Sequence, residues 1–256
     1  MEKILMDFFD RLFGFGKEVF SVKHNGHTLS IVENSTGKIF KYDGIVYSRI
    51  HKNSVYTHEY WDFFIPLGAI SENPKFVLIG LGGGTIPYLL HKTFDNMKMD
   101  VVEVDREMEN IANMFVGKLD NTNVIIQNGQ DFVSKNKDAY NVIILDAFIS
   151  DRIPSVFLSN GFIDDAYECL SDSGIFAINC ISSMDGTESI ETFIKSLSKK
   201  FKVYKLDTGF YTANILLLCA KGLNKEDLIF NIKTRMRINK ENEFIIKSYE
   251  NMKLIL

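Results

Sequence analysis

Acidic side chains stand at places in this sequence where chemistry can occur. Asp146 closes the run Val-Ile-Ile-Leu, and Asp151 follows in the loop that leads to Pro154. A carboxylate that ends an apolar strand has little structural purpose, but it can accept a proton from an attacking group or hold a cationic amine. We therefore predict that Asp146 is the main catalytic residue and that Asp151 is a second catalytic acid.

A glycine-rich turn precedes these acids in the chain. It contains Gly80, Gly82, Gly83 and Gly84, and Thr85 follows at the start of a helical pattern. Glycines at a strand-to-helix turn let a ligand approach the backbone, and the helix N-terminus offers unpaired N–H groups. The third glycine of the dinucleotide fingerprint is missing, which argues against a nicotinamide dehydrogenase.

Two further strand ends carry groups that suit a nucleoside. Glu103 ends the second apolar strand about twenty residues after the glycine turn, where an acidic side chain can hydrogen-bond both hydroxyls of a ribose. Asn128 and Gly129 end the third strand, where an amide can bind an adenine edge or can simply form a turn. The glycine turn and Glu103 together favour a nucleoside site over a turn needed only for packing.

The elements that position these residues alternate between apolar strands and helices. We predict strands at 75–81, 99–104, 123–127, 141–146, 174–179, 202–206 and 213–220. We predict helices at 85–92, 107–116, 131–136, 161–170 and 188–200. This alternation is typical of an α/β fold, a Rossmann-like seven-stranded methyltransferase-type sheet that binds ligands at the carboxyl ends of its strands.

The remaining segments surround that nucleoside-binding catalytic domain, which we place at 75–221. Residues 1–20 have the apolar spacing of an amphipathic helix. Residues 21–54 predict a small domain of antiparallel β-hairpins, because Asn25-Gly26 and Asp43-Gly44 are turn signals between alternating runs. We expect a linking helix in 55–74 and a helical C-terminal segment in 222–256.

Composition narrows the choice of partners. The chain has 256 residues, with 29 basic and 33 acidic side chains, so its net charge is −4. The chain has no overall positive charge that would attract nucleic acid or an anionic membrane. Charged residues interrupt the N-terminal apolar pattern, so we do not expect it to be a signal peptide or a membrane span. Cys169, Cys180 and Cys219 lack metal-ligand spacing, so we predict reduced thiols in a cytoplasmic protein and no metal site.

The β-hairpin domain, the glycine turn, Glu103 and Asp146 together resemble the spermidine synthase family. His58-Glu59 and the segment from Asp146 to Pro154 look most like its divergent spermidine synthase-like branch. This family shares the class I fold of S-adenosylmethionine-dependent methyltransferases. The resemblance implies that an aminopropyl group is transferred from decarboxylated S-adenosylmethionine to putrescine or a related small amine, usually by a homodimer.

The resemblance also implies roles for individual residues. Gly80, Gly82, Gly83, Gly84 and Thr85 would line the nucleoside site, and Glu103 would bind the ribose. Asn128 and Gly129 would contact the adenine, and His58 would lie near the donor's tail. The acceptor amine would be bound by Glu59 and Tyr211, beside the catalytic Asp146.

Departures from the family pattern leave alternatives open. The family has an acidic residue after its glycines, and this charge disfavours a donor that keeps its carboxylate. With Thr85 in that place, ordinary S-adenosylmethionine becomes an acceptable donor. Thr57 also replaces the usual Tyr before His58-Glu59. The alternatives to aminopropyl transfer are therefore a methyltransferase that uses S-adenosylmethionine and a non-catalytic nucleoside-binding homologue.

Overall fold

Two β-sheets organise the part of the chain that the computed structural model describes, which is residues 16–149, 152–181, 189–208 and 214–255. The first is a four-stranded antiparallel sheet, here called the N-terminal sheet. The second is an eight-stranded mixed sheet flanked by helices. This architecture confirms the predicted α/β fold with a small antiparallel hairpin sheet.

The N-terminal sheet is a meander whose strands pair in chain order. Its strands are β1 (Lys17–His24), β2 (His27–Glu33), β3 (Gly37–Tyr42) and β4 (Ile45–His51). Both residues of the Asn25-Gly26 turn have positive φ, as do both residues of the Asp43-Gly44 turn, which suits tight hairpins. Residues 17–20, predicted as the end of a helix, belong to β1, because their pairing with β2 overrides the local pattern. Residues 1–15 of that predicted helix lie outside the described residues.

The linking segment is less helical than predicted. Of the predicted range 55–74, only Tyr60–Ala69 is helical, and it forms a 3₁₀ helix. Pro66 lies inside it and supplies no backbone N–H, which is incompatible with a regular α-helix at this point. Nearly all of this 3₁₀ helix is buried, so it packs as part of the core.

The large sheet has a parallel half and an antiparallel half. Its strands are β5 (Lys75–Ile79), β6 (Lys98–Glu103), β7 (Thr122–Ile126), β8 (Tyr140–Leu145), β9 (Leu170–Ile181), β10 (Lys202–Leu206), β11 (Asn214–Ala220) and β12 (Lys253–Leu254). Their order is β12-β10-β11-β9-β8-β5-β6-β7, and β5 to β9 run parallel. The prediction of seven strands missed β12, because two residues paired to β10 carry no sequence pattern.

Seven α-helices are described, and they lie close to the predicted positions where predictions were made. They are α1 (Thr85–Thr93), α2 (Arg106–Phe115), α3 (Gly129–Lys135), α4 (Asn160–Cys169), α5 (Ile190–Leu197), α6 (Lys225–Arg235) and α7 (Glu243–Glu250). A short 3₁₀ turn, Ser155–Leu158, precedes α4. No helix in the described ranges is both long and apolar enough to span a membrane.

The N-terminal sheet packs directly on the glycine turn. Ser48 Oγ accepts a hydrogen bond from the Gly83 N–H at 2.8 Å. The Thr85 hydroxyl accepts from Arg49 N at 3.3 Å and donates to Arg49 O at 3.2 Å, and Thr85 is only 2% exposed. Leu29 of β2 belongs to the same apolar cluster as the helices that cover this face of the large sheet. The N-terminal sheet is therefore held in place by hydrogen bonds from β4 to the turn and by apolar packing of β2 in the core.

This packing predicts that Gly83→Ala destabilises the protein. A Cβ at Gly83 would lie 2.7 Å from Ser48 Cβ, so either the turn or β4 must shift. We expect a loss of roughly 1–3 kcal/mol in the free energy of unfolding, measured by urea denaturation. In the control Gly161→Ala, the new Cβ has no neighbour within 4 Å and lies in α4, so stability should be unchanged or slightly higher. Equal stability of the two variants would contradict this account of the glycine.

Candidate active site

The glycine turn and Asp146 meet at the point where the order of the strands reverses. From β5 the chain adds β6 and β7 on one side, and then it crosses to β8 on the other. Ligands of open α/β sheets bind at this kind of switch point. Asp146 N donates to Ile79 O at 3.0 Å, and a Cβ at Gly80 would lie 2.4 Å from Asp146 O. Gly80, with φ of +93°, therefore allows the ends of β5 and β8 to touch.

Hydrogen-bond donors from separate elements hold the Asp146 carboxylate. Asn179 Nδ2, in β9, donates to Asp146 Oδ1 at 2.7 Å. The Tyr60 hydroxyl lies 3.3 Å from each carboxylate oxygen. Asn214 Nδ2 donates to Asn179 Oδ1 at 2.8 Å, which directs the Asn179 NH₂ group toward Asp146. The carboxylate is thus oriented by a chain of amides on one side and a phenol on the other.

Burial has the largest effect on the pKa of the Asp146 carboxyl group. It raises the pKa of Asp146 to about 6, although the hydrogen bonds from Asn179 and Tyr60 lower it. Burial and the nearby Asp146 charge raise the pKa of Tyr60 well above its usual value. At neutral pH the Tyr60 phenol therefore stays protonated and donates a hydrogen bond to Asp146. The Asp146 carboxylate is mostly ionised and can take up a proton.

Sequence reasoning missed Tyr60, Asn179 and Asn214. Asn179 is only 1% exposed and interrupts an apolar run near the carboxyl end of β9, which is a usable signal for a buried functional amide. Tyr60 directly follows the predicted His58-Glu59 pair, in a segment that the sequence predicts only as a linking helix. The positions of Asp151 and Tyr211 lie outside the described residues.

Glu103 joins the end of β6 to the glycine turn. Its Oε2 accepts from Leu81 N at 2.9 Å, and its Oε1 accepts from Val104 N at 2.8 Å and from Asp105 N at 3.0 Å. Each carboxylate oxygen can accept two hydrogen bonds, so Oε2 retains room for one more donor. Val104 beside it is 70% exposed, which leaves this edge of the sheet accessible.

The later residues of the glycine turn contact protein. Gly83 faces Ser48, and a Cβ at Gly84 would lie 3.2 Å from Ala112 and Val116 side chains. The structure places the Thr85 hydroxyl against the backbone of β4, and its contact with the donor stays a prediction. At Gly82 a Cβ would meet no atom nearer than 3.5 Å. Packing thus accounts for Gly83 and Gly84, and the backbone near Gly82 is the more open part of the turn.

Asn128 and Gly129 also have structural roles. Asn128 Oδ1 accepts from Gln130 N at 2.8 Å and from Asp131 N at 3.4 Å, so the carbonyl predicted to contact adenine caps α3. A Cβ at Gly129 would lie 2.7 Å from the Ile79 side chain. Asn128 is therefore the N-cap of α3 in the structure, and its contact with adenine stays a prediction.

The His58-Glu59 pair leads into the site through Tyr60. His58 is exposed and has φ of +61°, and its ring lies 6.0 Å from the ring of His51. The Glu59 side chain is 37% exposed, and its Oε1 lies 3.9 Å from Arg49 Nε. Burial raises the pKa of Glu59, while the Arg49 charge lowers it. Glu59 is therefore an acid near the Tyr60 side of Asp146.

The chain matches a known protein family over most of its length. The model of the spermine/spermidine synthase domain matches residues 39–247. The chain belongs to this family. It is 28% identical over 203 residues to a polyamine aminopropyltransferase of Caldicellulosiruptor saccharolyticus, covering 76% of this chain and 72% of that protein.

Solved structures of the family and of a methyltransferase share the fold. Spermidine synthase from Thermotoga maritima superposes with a TM-score of 0.63 at 20% identity, covering 91% of this chain and 84% of that one. Human methyltransferase-like protein 13 superposes with a TM-score of 0.56 at 20% identity, covering 73% and 88%. Among the described residues, no group of three or more His, Cys, Asp or Glu side chains could hold a metal ion.

The hydrogen bonds to Asp146 predict its titration. We expect its carboxyl carbon to titrate with a midpoint near pH 6 in ¹³C NMR. Asn179→Ala removes a donor to the ionised form, so the midpoint should rise by about one pH unit. The control Asn123→Ala removes a similar amide contact to Asp100 and should leave the Asp146 midpoint unchanged. A midpoint near pH 4 in the parent protein would show that the carboxylate is not desolvated.

Proposed function

We propose that this protein is a polyamine aminopropyltransferase that moves an aminopropyl group from decarboxylated S-adenosylmethionine to a small amine such as putrescine. The observation that carries the proposal is the Asp146 carboxylate, held at the switch point by Asn179 and Tyr60. Membership of the spermine/spermidine synthase family supports the same reaction. The burial and raised pKa of Asp146 support a role in binding the acceptor amine and taking up its proton.

The reaction needs a base and an oriented amine. The acceptor arrives as an ammonium with a pKa of roughly 10, so it must lose a proton before it can attack. In the proposed step, the Asp146 carboxylate binds the ammonium and receives that proton. The nitrogen lone pair then forms a bond to the aminopropyl carbon attached to the sulfonium. The carbon–sulfur bond breaks, and its electron pair leaves with the sulfur as a neutral thioether.

The acceptor side would be completed by other acids. Glu59 lies near Tyr60 and is partly exposed, so it suits a second ammonium of a diamine. We propose Asp151, in the loop after Asp146, as a further catalytic acid. We propose Tyr211 as an acceptor-binding residue, as the family resemblance implies. The net charge of −4 also favours a cationic acceptor.

The donor side would use Glu103 for the ribose, since its Oε2 can accept one more hydrogen bond. The open backbone near Gly82 suits the nucleoside, while roles for Gly80, for Asn128 at the adenine and for His58 at the donor's tail rest on the resemblance. Thr85 carries no charge that would repel a carboxylated donor, so ordinary S-adenosylmethionine stays the alternative donor. We propose the decarboxylated form, because relatives of this chain are named polyamine aminopropyltransferases.

We also propose that the protein works as a homodimer in the cytoplasm. The family resemblance supports the dimer. Cys169, Cys180 and Cys219 are all free and buried, as is usual for proteins of a reducing compartment. Sedimentation velocity on the full chain measures the oligomeric state, and a single monomeric species at working concentration would contradict the dimer.

Asp146→Asn tests the proposed base. The amide cannot accept the proton, so turnover of decarboxylated S-adenosylmethionine with putrescine should fall by about 10²–10⁴-fold. Donor affinity, measured by calorimetry, should change less than about twofold. Asp100→Asn is a matched control, because Asp100 also accepts hydrogen bonds from a Tyr and an Asn but lies within β6. Full turnover by the Asp146 variant would exclude this residue as the base.

A further inference from the structure

Asp62 is a buried carboxyl group beneath the turn that leads into the site. It is 2% exposed and lies in the first part of the 3₁₀ helix. Its Oδ1 accepts from Thr57 N at 2.8 Å and from Thr57 Oγ1 at 2.7 Å, and its Oδ2 accepts from His58 N at 2.7 Å. Burial raises the pKa of Asp62 to about 7 in spite of these bonds. Keeping a charge here costs free energy, and the residue caps no helix end in return.

The turn that Asp62 holds is strained. His58 has φ of +61°, a left-handed conformation that is unfavourable for a residue other than glycine. Such conformations persist where the surroundings fix them, and they cluster at functional sites. Here the His58 N–H donates to Asp62, and the Glu59 N–H donates to Thr57 Oγ1 at 3.2 Å. The bonds to Asp62 and Thr57 therefore fix three successive residues of the turn.

The strained turn determines where the next side chains point. Glu59 and Tyr60 follow it directly, and the Tyr60 hydroxyl lies 3.3 Å from both Asp146 oxygens. A change in the backbone at His58 would rotate both side chains relative to Asp146. Asp62 thus influences the acceptor side of the site without touching it.

We propose that Asp62 is a positioning residue for the acceptor amine, which holds Glu59 and Tyr60 in place beside Asp146. This inference rests on the proposed function, in which Asp146 and Glu59 receive a diamine. A residue needed only for folding would change stability and leave the relative affinities for acceptor and donor unaltered. A positioning residue should act on the acceptor alone.

Asp62→Asn separates these roles. It keeps one acceptor oxygen but places an NH₂ group against the N–H and O–H donors of the turn. We expect the KM for putrescine to rise at least tenfold, with kcat reduced less than threefold and the donor Kd within twofold. Thr57→Val removes only the hydroxyl contacts with Asp62 and Glu59, so the KM should rise about threefold. This milder variant keeps the test valid if Asp62→Asn does not fold.

Asn34→Ala is the matched structural control. Asn34 Oδ1 accepts from Thr36 N, Thr36 Oγ1 and Gly37 N at 2.8–3.0 Å, so it holds the β2–β3 turn as Asp62 holds the turn at His58. This variant should lose stability without any change in the putrescine KM. An equal rise in KM for the Asn34 and Asp62 variants would overturn the proposal, as would an unchanged KM in Thr57→Val and Asp62→Asn.

A parallel measurement on Glu59→Gln distinguishes a failure of the positioning role of Asp62 from a failure of the proposed aminopropyl transfer. A raised putrescine KM in this variant, with no change in the Asp62 and Thr57 variants, would overturn the positioning role and leave the proposed function intact. Failure of the parent protein to turn over putrescine with either donor would overturn both together. The predicted result is a raised KM in all three variants.

Discussion

The site depends on keeping a carboxylate in a partly dehydrated crevice. Removing an ion from water costs several kcal/mol unless hydrogen bonds replace the lost solvation. For Asp146 that replacement comes from Asn179 in the middle of the large sheet and from Tyr60 in the linking 3₁₀ helix. Asn214, on β11, orients the Asn179 amide in turn. The parallel half, the antiparallel half and the linking segment must all be assembled before the acid has its partners.

The segments around the large sheet hold the 3₁₀ helix and the glycine turn in place beside Asp146. The Tyr249 hydroxyl, in α7, donates to Phe63 O at 2.6 Å, and Asn242 Nδ2 donates to the Tyr56 hydroxyl at 2.7 Å. The C-terminal helices therefore hold the 3₁₀ helix that presents Tyr60. Ser48 of β4 is bonded to the glycine turn. The C-terminal helices and the N-terminal sheet thus both support elements that position the site.

Sequence patterns predicted the large sheet well, because buried parallel strands are apolar runs bounded by polar ends. That is also why Asp146 was predicted to lie at the ligand edge of the sheet. The contacts of Thr85 with β4 and of Asn128 with α3 could not be predicted from the sequence. Tertiary packing decides whether such a side chain faces a ligand, a neighbouring strand or its own helix. Tyr60 is one of several aromatic residues in the linking segment, and only the fold shows that its hydroxyl contacts Asp146.

The central claim is aminopropyl transfer by a chain of this family. Mass spectrometry of a reaction that contains equal amounts of decarboxylated and ordinary S-adenosylmethionine with putrescine tests it most directly. The account predicts spermidine and methylthioadenosine in equal amounts, with ordinary S-adenosylmethionine left unconsumed. A methylated amine with S-adenosylhomocysteine, or no product from either donor, would contradict it.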